Sequence, residues 1–306
     1  MNTQIGWVGL GNMGSAIVQN LQKNGYRVNV YNRTKEKEAG AIEAGAAPQE
    51  SMQQLVHNSS IIFTMVSDDN AVKEIYSGEQ GLLSHSPSGK IFVDMSTVAP
   101  ATSRYLADLC HASNNQFIDA PVSGSVQPAR EGSLIVMVGG SAETFDKVKP
   151  VLDIIGKRSI HLGGNGAGSA AKLAINYFLA INLQGLAETV LFAKDNGIQM
   201  EDMLTIINEG ALANGITKGK AASILNNDFP AAFALKHLAK DLRLADEQGL
   251  QTPLFPPLLH TFQQALENGL GEEDVMTIFK YLQQHKGSHP SVENMYPDDN
   301  ISDYAN

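Results

Sequence analysis

The sequence predicts an α/β chain, with a doubly wound N-terminal domain on a largely parallel sheet followed by an all-α C-terminal domain. Three observations predict it. Short apolar runs alternate with amphipathic stretches through the first half, a glycine-rich joint interrupts that texture at 163–168, and long helical periodicity fills the chain beyond the joint. Strands alternating with helices imply βαβ crossovers and parallel pairing. The 306 residues also call for about two domains at ~150 residues each.

The strand-like runs are Ile5–Val8, Arg27–Tyr31, Ile61–Val66, Ile91–Met95, Phe117–Asp119, Leu134–Val138 and Ser159–Leu162. Between them lie amphipathic stretches at Ser15–Asn24, Ser51–His57, Ala71–Tyr76, Thr102–Ala112 and Glu143–Ile155, whose apolar positions recur at helical spacing. Helical periodicity then runs over 169–195, 200–209, 215–225, 233–249, 253–268 and 272–285. The expected division is a dinucleotide-binding domain at 1–163 and an all-helical domain at 164–286. Residues 287–306 are polar, without an apolar period, and read as a disordered tail.

Composition narrows the function classes. The chain has 22 Lys+Arg against 32 Asp+Glu, a formal net charge of −10, which disfavours nucleic-acid binding. Its one cysteine, Cys110, cannot form an intramolecular disulfide and fits a reducing compartment. The eight histidines show no HExxH spacing, so no metal site is expected. Leu173–Ala193 is long and mostly apolar, but it contains Asn176, Asn182, Gln184 and Glu188, costly groups in lipid. A buried helix is the better reading, and no membrane association is expected. With no basic N-terminal leader, the expectation is a cytoplasmic protein.

Gly9-Leu10-Gly11-Asn12-Met13-Gly14 follows the first strand and opens the first helix. Glycines there allow a tight turn and close backbone approach, and the helix N-terminus presents unpaired N–H groups to a pyrophosphate. The motif in that context predicts a Rossmann-type dinucleotide site. About 20 residues further on, an NAD site usually carries Asp or Glu for the ribose 2′-hydroxyl. Here the second strand ends in Asn32-Arg33-Thr34, with no carboxylate before Glu36. Arg33 can pair with a 2′-phosphate while Asn32 and Thr34 donate hydrogen bonds, which points to NADP.

Further segments carry polar groups suited to a substrate. Asp119-Ala120-Pro121-Val122-Ser123-Gly124-Ser125 ends a strand in a hydroxyl-rich turn, and Lys172 and Asn176 lie one helical turn apart beyond the glycine-rich joint. Lys240-Asp241 sits on a later helix. With Gly9–Gly14, Asp94-Met95-Ser96-Thr97, Gly132 and Gly166-x-Gly168-x-x-x-Lys172-x-x-x-Asn176, these segments occur in the order seen in the β-hydroxyacid dehydrogenase family, which the chain resembles over residues 5 to about 285. Phe229-Pro230, Phe233 and Lys236-His237 look most like its NADPH-using glyoxylate/succinic semialdehyde reductase branch.

The resemblance implies hydride transfer between NADP(H) and a small aldehyde acid/hydroxy acid pair. Lys172 would be the general acid/base, with Asn176 and Ser123 completing the catalytic group. Ser123, Gly124 and Ser125 would hold the substrate carboxylate beside Lys172 and Asn176. Met65, Val66, Ser67, Thr97, Phe233 and Lys240 would join Gly9–Gly14 and Asn32–Thr34 around the cofactor. Ser125 departs from the second glycine common in the family, which leaves the substrate open among glyoxylate, succinic semialdehyde, tartronate semialdehyde and 3-hydroxyisobutyrate-type pairs. An imine reductase usually replaces the lysine, and a catalytically silent binding protein would be expected to lose it; Lys172 is present. The long apolar helix implies a homodimer or homotetramer.

Overall fold

The computed structural model describes residues 3–84 and 86–286, so the expected tail at 287–306 lies outside the described residues. Its strands are β1 (Ile5–Val8), β2 (Val28–Tyr31), β3 (Ala47–Pro48), β4 (Ile61–Thr64), β5 (Ile91–Asp94), β6 (Gln116–Asp119), β7 (Val122–Ser123), β8 (Leu134–Gly139) and β9 (Gly156–Gly163). Between and after them run α1 (Asn12–Lys23), α2 (Ala39–Glu43), α3 (Met52–His57), α4 (Asp69–Ser77), α5 (Pro100–Ala112), α6 (Val126–Glu131), α7 (Ala142–Ile155) and α8 (Ala167–Asp195). The chain continues through α9 (Met200–Glu209), α10 (Gly215–Asn226), α11 (Leu235–Glu247), α12 (Phe255–Ala265) and α13 (Ile278–Gln284).

Among the described residues the nine strands form one sheet in the order β3-β2-β1-β4-β5-β6-β8-β7, with β9 on β8. Pairing is parallel from β3 to β6, whereas β8 runs antiparallel to β6 and β7. Strand order reverses at β1/β4, the crevice where doubly wound sheets bind ligands at their carboxyl ends.

Successive strand residues point to opposite faces, and both faces are covered. Trp7, Phe63, Val93 and Ile118 pack on one side with Ile17 and Leu21 of α1 and Val151 and Leu152 of α7. Their neighbours Val8, Ile62, Phe92 and Phe117 pack on the other with Leu55, Val72, Tyr76 and Leu106. Trp7 stacks on Phe63 with centroids 5.4 Å apart.

All seven anticipated strands are present. The two-residue strands β3 and β7 were not anticipated, because two residues carry no measurable alternation. Val122–Ser123 falls in what reads as turn, and its pairing with Val136 and Ile135 is set by β8 rather than by local sequence. The last helical stretch, expected over 272–285, begins as a 3-10 turn at Val275–Thr277 capped by the Asp274 carboxylate.

By compactness the chain forms two units. One comprises residues up to Ala180 with Lys236–Leu259, and so holds the sheet, the first half of α8 and α11; the other comprises Ile181–Leu235 and the chain from His260 on. In the second unit Asp274 is 1% exposed, pairs with Lys220 Nζ at 2.7 Å and accepts the Ala232 and Phe233 N–H groups. Among the described residues no helix is long and apolar enough to cross a membrane.

Candidate active site

The glycine-rich turn is bare backbone at the switch point. Gly9 has φ +100, and a Cβ there would stand 2.2 Å from the Met65 carbonyl oxygen at the end of β4. On Gly14 a Cβ would meet the Gly9 carbonyl oxygen at 2.1 Å, so the first turn of α1 lies directly on the strand end. Beyond Gly11, in contrast, a Cβ would meet nothing within 4 Å. Helix α1 starts at Asn12 with no side-chain cap and no acidic residue in its first turn. An uncapped positive helix end facing open space, with no carboxylate to repel an anion, fits the pyrophosphate of a nicotinamide dinucleotide.

The neighbouring loops are braced to this turn. Asn32 Oδ1 accepts the Leu10 N–H at 2.9 Å, and Asn32 Nδ2 donates to the Thr34 carbonyl at 2.7 Å. Asn32 therefore ties the two βα loops together, while Arg33 and Thr34 are exposed beside it. The structure corrects one premise of the sequence reading. Glu38 folds back to the end of β2, where its Oε1 accepts the Asn32 N–H at 2.7 Å and pairs with Lys35 Nζ at 2.9 Å. This carboxylate is buried and neutralised by Lys35, which also lies 4.4 Å from the Tyr31 ring centroid.

At the β4 and β5 ends, the Val66 N–H donates to Ser96 Oγ at 2.9 Å, and Ser96 Oγ donates to buried Asp94 Oδ1 at 2.8 Å. Lys240 Nζ, from α11, donates to the carbonyls of Ser67 and Thr97 at 3.0 and 2.5 Å. Met65, Val66, Ser67, Thr97 and Lys240 thus form one patch, joined to the glycine-rich turn through the Met65–Gly9 contact.

Lys240 also lies 3.1 Å from Asp241 Oδ1, an ion pair whose angle falls short of a hydrogen bond. The other oxygen of Asp241 accepts Asn176 Nδ2 at 2.6 Å, and both residues are 3% exposed. Lys172 is one turn before Asn176 on α8. Desolvation holds its ammonium below the ordinary lysine range; Asp241 opposes that shift and Lys240 adds to it. A lysine so placed exchanges its proton more readily than a solvated one.

The substrate-side expectations fall on β7 and the turn after it. Ser123 is in β7 and partly buried, a Cβ on Gly124 would stand 2.6 Å from Leu134, and exposed Ser125 precedes α6 without capping it. These three share the sheet edge but make no hydrogen bond to the Lys172 cluster. Phe233 lies in the second unit, where its N–H and carbonyl bond Asp274 Oδ2 and the Val275 N–H.

Three carboxylates receive no role in the sequence reading: Asp241 and Asp119, which stand there only as members of the family pattern, and Glu38; Asp119 accepts the Gly166 and Ser169 N–H groups at the start of α8. Asp119 carried a legible signal, an apolar strand closing on an acid at its carboxyl end. Asp94 on β5 carries the same signal and is its register partner.

Known proteins share this fold. The family model described as the NAD binding domain of 6-phosphogluconate dehydrogenase matches residues 4–163, and the one described as NAD-binding of NADP-dependent 3-hydroxyisobutyrate dehydrogenase matches residues 166–282. Glyoxylate/succinic semialdehyde reductase 1 of Arabidopsis thaliana is 34% identical over 281 residues, covering 90% of this chain and 97% of its own. The 2-(hydroxymethyl)glutarate dehydrogenase of Eubacterium barkeri is also 34% identical, covering 93% of this chain and 96% of its own. A solved structure of Mycobacterium tuberculosis 3-hydroxyisobutyrate dehydrogenase with L-serine superposes with a TM-score of 0.83 at 26% identity, over 92% of this chain and all of that one. With family models matching both halves and relatives matching nearly end to end, the chain belongs to the β-hydroxyacid dehydrogenase family of nicotinamide-dependent oxidoreductases.

Proposed function

We propose that the chain is an NADP-dependent reductase of small carboxylate-bearing aldehydes, with glyoxylate and succinic semialdehyde the favoured substrates. In this reading residues 1–163 bind the dinucleotide, and residues 164–286 serve substrate and subunit contacts. The observation that carries it is the desolvated Lys172, backed by Asn176 and Asp241 and joined through Lys240 to the loops at the β4 and β5 ends. The 34% identity to a glyoxylate/succinic semialdehyde reductase favours this substrate class.

NADPH held by Gly9–Gly14 and Arg33 would supply the hydride. As negative charge develops on the aldehyde oxygen, the Lys172 ammonium donates its proton there, giving the hydroxy acid. Asn176, anchored to Asp241, fixes the face of α8 that presents Lys172. Ser123, Gly124 and Ser125 hold the substrate carboxylate through hydroxyl and main-chain donors. Arg33 pairs with the 2′-phosphate, and Gly9–Gly14 take the pyrophosphate. Buried, disulfide-free Cys110 suits work in the cytoplasm.

Two exposed aromatics on α8, Phe178 at 59% and Phe192 at 72%, support burial of this helix by a second copy in a homodimer or homotetramer. Light scattering that gives a monomeric mass at micromolar concentration would refute that assembly.

The functional test is a panel of small aldehyde acids assayed with NADPH and NADH on wild type and Lys172→Ala. Wild type is expected to reduce glyoxylate or succinic semialdehyde. The variant is expected to lose about a hundredfold or more in kcat while binding NADPH normally. Near-normal turnover in Lys172→Ala would assign the proton to another group.

A further inference from the structure

The first turn of α8 is fastened at one residue from two directions. Asp119, the last residue of β6, accepts the Gly166 N–H on Oδ1 at 2.7 Å and the Ser169 N–H on Oδ2 at 2.9 Å. The Ser169 hydroxyl in turn bonds the Ser103 hydroxyl of α5 at 2.8 Å, and both serines are buried. The helix backbone lies almost on the sheet: a Cβ on Gly168 would stand 2.4 Å from the Met137 carbonyl oxygen and 2.9 Å from Asp119 Oδ2. At Gly166, φ is +92 and a Cβ would meet the Pro100 carbonyl oxygen at 2.9 Å. The Gly166-x-Gly168 spacing is therefore explained by close approach of α8 to β6, β8 and α5.

Ser169, Lys172 and Asn176 stand at i, i+3 and i+7, on one face of that helix. Whatever fixes Ser169 fixes the origin from which Lys172 is aimed, one turn away. The far end of the same face is fixed separately, by the Asn176–Asp241 hydrogen bond.

We propose that Asp119 and Ser103 are positioning residues for the reaction: by holding the N–H and the hydroxyl of Ser169, they set where the Lys172 ammonium meets the substrate oxygen. Neither touches the substrate. The inference rests on Lys172 as proton donor. It adds that two residues outside the reacting group control the proton step and leave cofactor binding unaffected. Proton transfer is steep in distance, and a displacement of about 1 Å costs up to about a hundredfold in rate.

Asp119→Asn keeps the shape but turns an amide toward two N–H donors, so one of the two bonds is lost. Ser103→Ala removes the other tether in a fold that keeps its carboxylate, and it serves equally if Asp119→Asn does not fold. Both are assayed as the full chain, with glyoxylate or succinic semialdehyde and NADPH. Asp119→Asn should lower kcat per folded site by about tenfold to a hundredfold, and Ser103→Ala by about threefold or more. NADPH binding by fluorescence titration should stay within twofold in both.

The pH profile separates aim from mere stability. Lys172 is faced by Asp241 and Lys240 of α11, and reduction needs it protonated. A loosened first turn admits water, relieves its desolvation and moves the alkaline limb of kcat to higher pH. A purely structural role would lower the folded fraction and leave that limb in place. On Lys172→Ala, Asp119→Asn should cost little further, because the group being aimed is gone. Variants with kcat per folded site within twofold of wild type and an unmoved limb would overturn the inference while leaving Lys172 as donor. An active Lys172→Ala with the wild-type pH profile would overturn both.

Discussion

Asp94 is fully buried at the end of β5, and its two oxygens are treated unequally. Oδ1 accepts from Thr64 Oγ1 at 2.7 Å, Ser96 Oγ at 2.8 Å and the Ser96 N–H at 3.3 Å. Oδ2 is buried with no hydrogen-bond partner. Burial pushes the carboxyl up from 3.8 to about 6; Thr64 and Ser96 oppose the rise, and the neighbouring charge of Asp119 adds to it. Because the folded value lies above the free one, the folded state holds the proton more tightly. The stabilising contribution is therefore complete below 3.8, shrinks as pH rises, and is gone above about 6. A difference of about two pH units corresponds to about 3 kcal/mol, of which about 2 kcal/mol is lost between pH 4.5 and 8. Asp94→Asn is neutral throughout, keeps an acceptor for Thr64 and Ser96, and places an amide where Oδ2 is orphaned. Urea unfolding of wild type and variant across that range should show the variant gaining about 2 kcal/mol relative to wild type toward the alkaline end. A difference that is constant with pH, or grows toward acid, would refute this account of Asp94.

Two further substitutions test the site. Arg33→Ala should raise the KM for NADPH about tenfold to a hundredfold, the worth of a charge-assisted pair with a phosphate, and leave NADH kinetics within about twofold. Adding Asn32→Asp should turn preference toward NADH at some cost in stability, since the new carboxylate would meet the Thr34 carbonyl where Asn32 Nδ2 now donates; equal weakening of both cofactors would refute the role of Arg33. Asp241→Asn removes the anion that supports protonated Lys172 and the charged acceptor of Asn176. Its kcat should fall about tenfold or more, with the alkaline limb of reduction moving to lower pH, and a limb that stays put or moves up would refute the coupling.

The sheet was legible because its strands are apolar on both faces and its turns are punctuated by glycine. Ile5–Val8 followed by Gly9–Gly14 announces both a strand and what the strand end is for. Local pattern could not show which side chains the loops consume. Asn32 reads as a donor for a ligand, but much of its bonding capacity braces Leu10 and Thr34. Glu38 reads as an ordinary acid in a charged stretch, Lys35-Glu36-Lys37-Glu38, and only the turn after β2 brings it back under Asn32. Asp119 reads as the first letter of a substrate motif, yet its carboxylate is spent on a helix 47 and 50 residues downstream. Such contacts depend on chain reversal, which periodicity does not record.

Asp94 and Asp119 show why these acids stand where they do. They are register partners on adjacent parallel strands, both buried, and burial raises both carboxyls. Two ionisable groups at one buried edge cost stability, and an apolar pair would fit a sheet core better. What an apolar pair could not do is accept main-chain and hydroxyl donors from elements that have no other reason to meet there. Asp94 takes Ser96, and through it the Val66 N–H, which sets the loops that Lys240 then bridges. Asp119 takes the first turn of α8, which sets Lys172. The two acids divide the carboxyl edge of the sheet between the loops around Lys240 and the helix that carries Lys172. Relative placement of those two parts is set by the fixed spacing between neighbouring strands, about 4.8 Å. Replacing both acids with apolar residues would leave the Gly166 and Ser169 N–H groups and the Thr64 and Ser96 hydroxyls buried without these acceptors, so stability and kcat should fall together in such a variant.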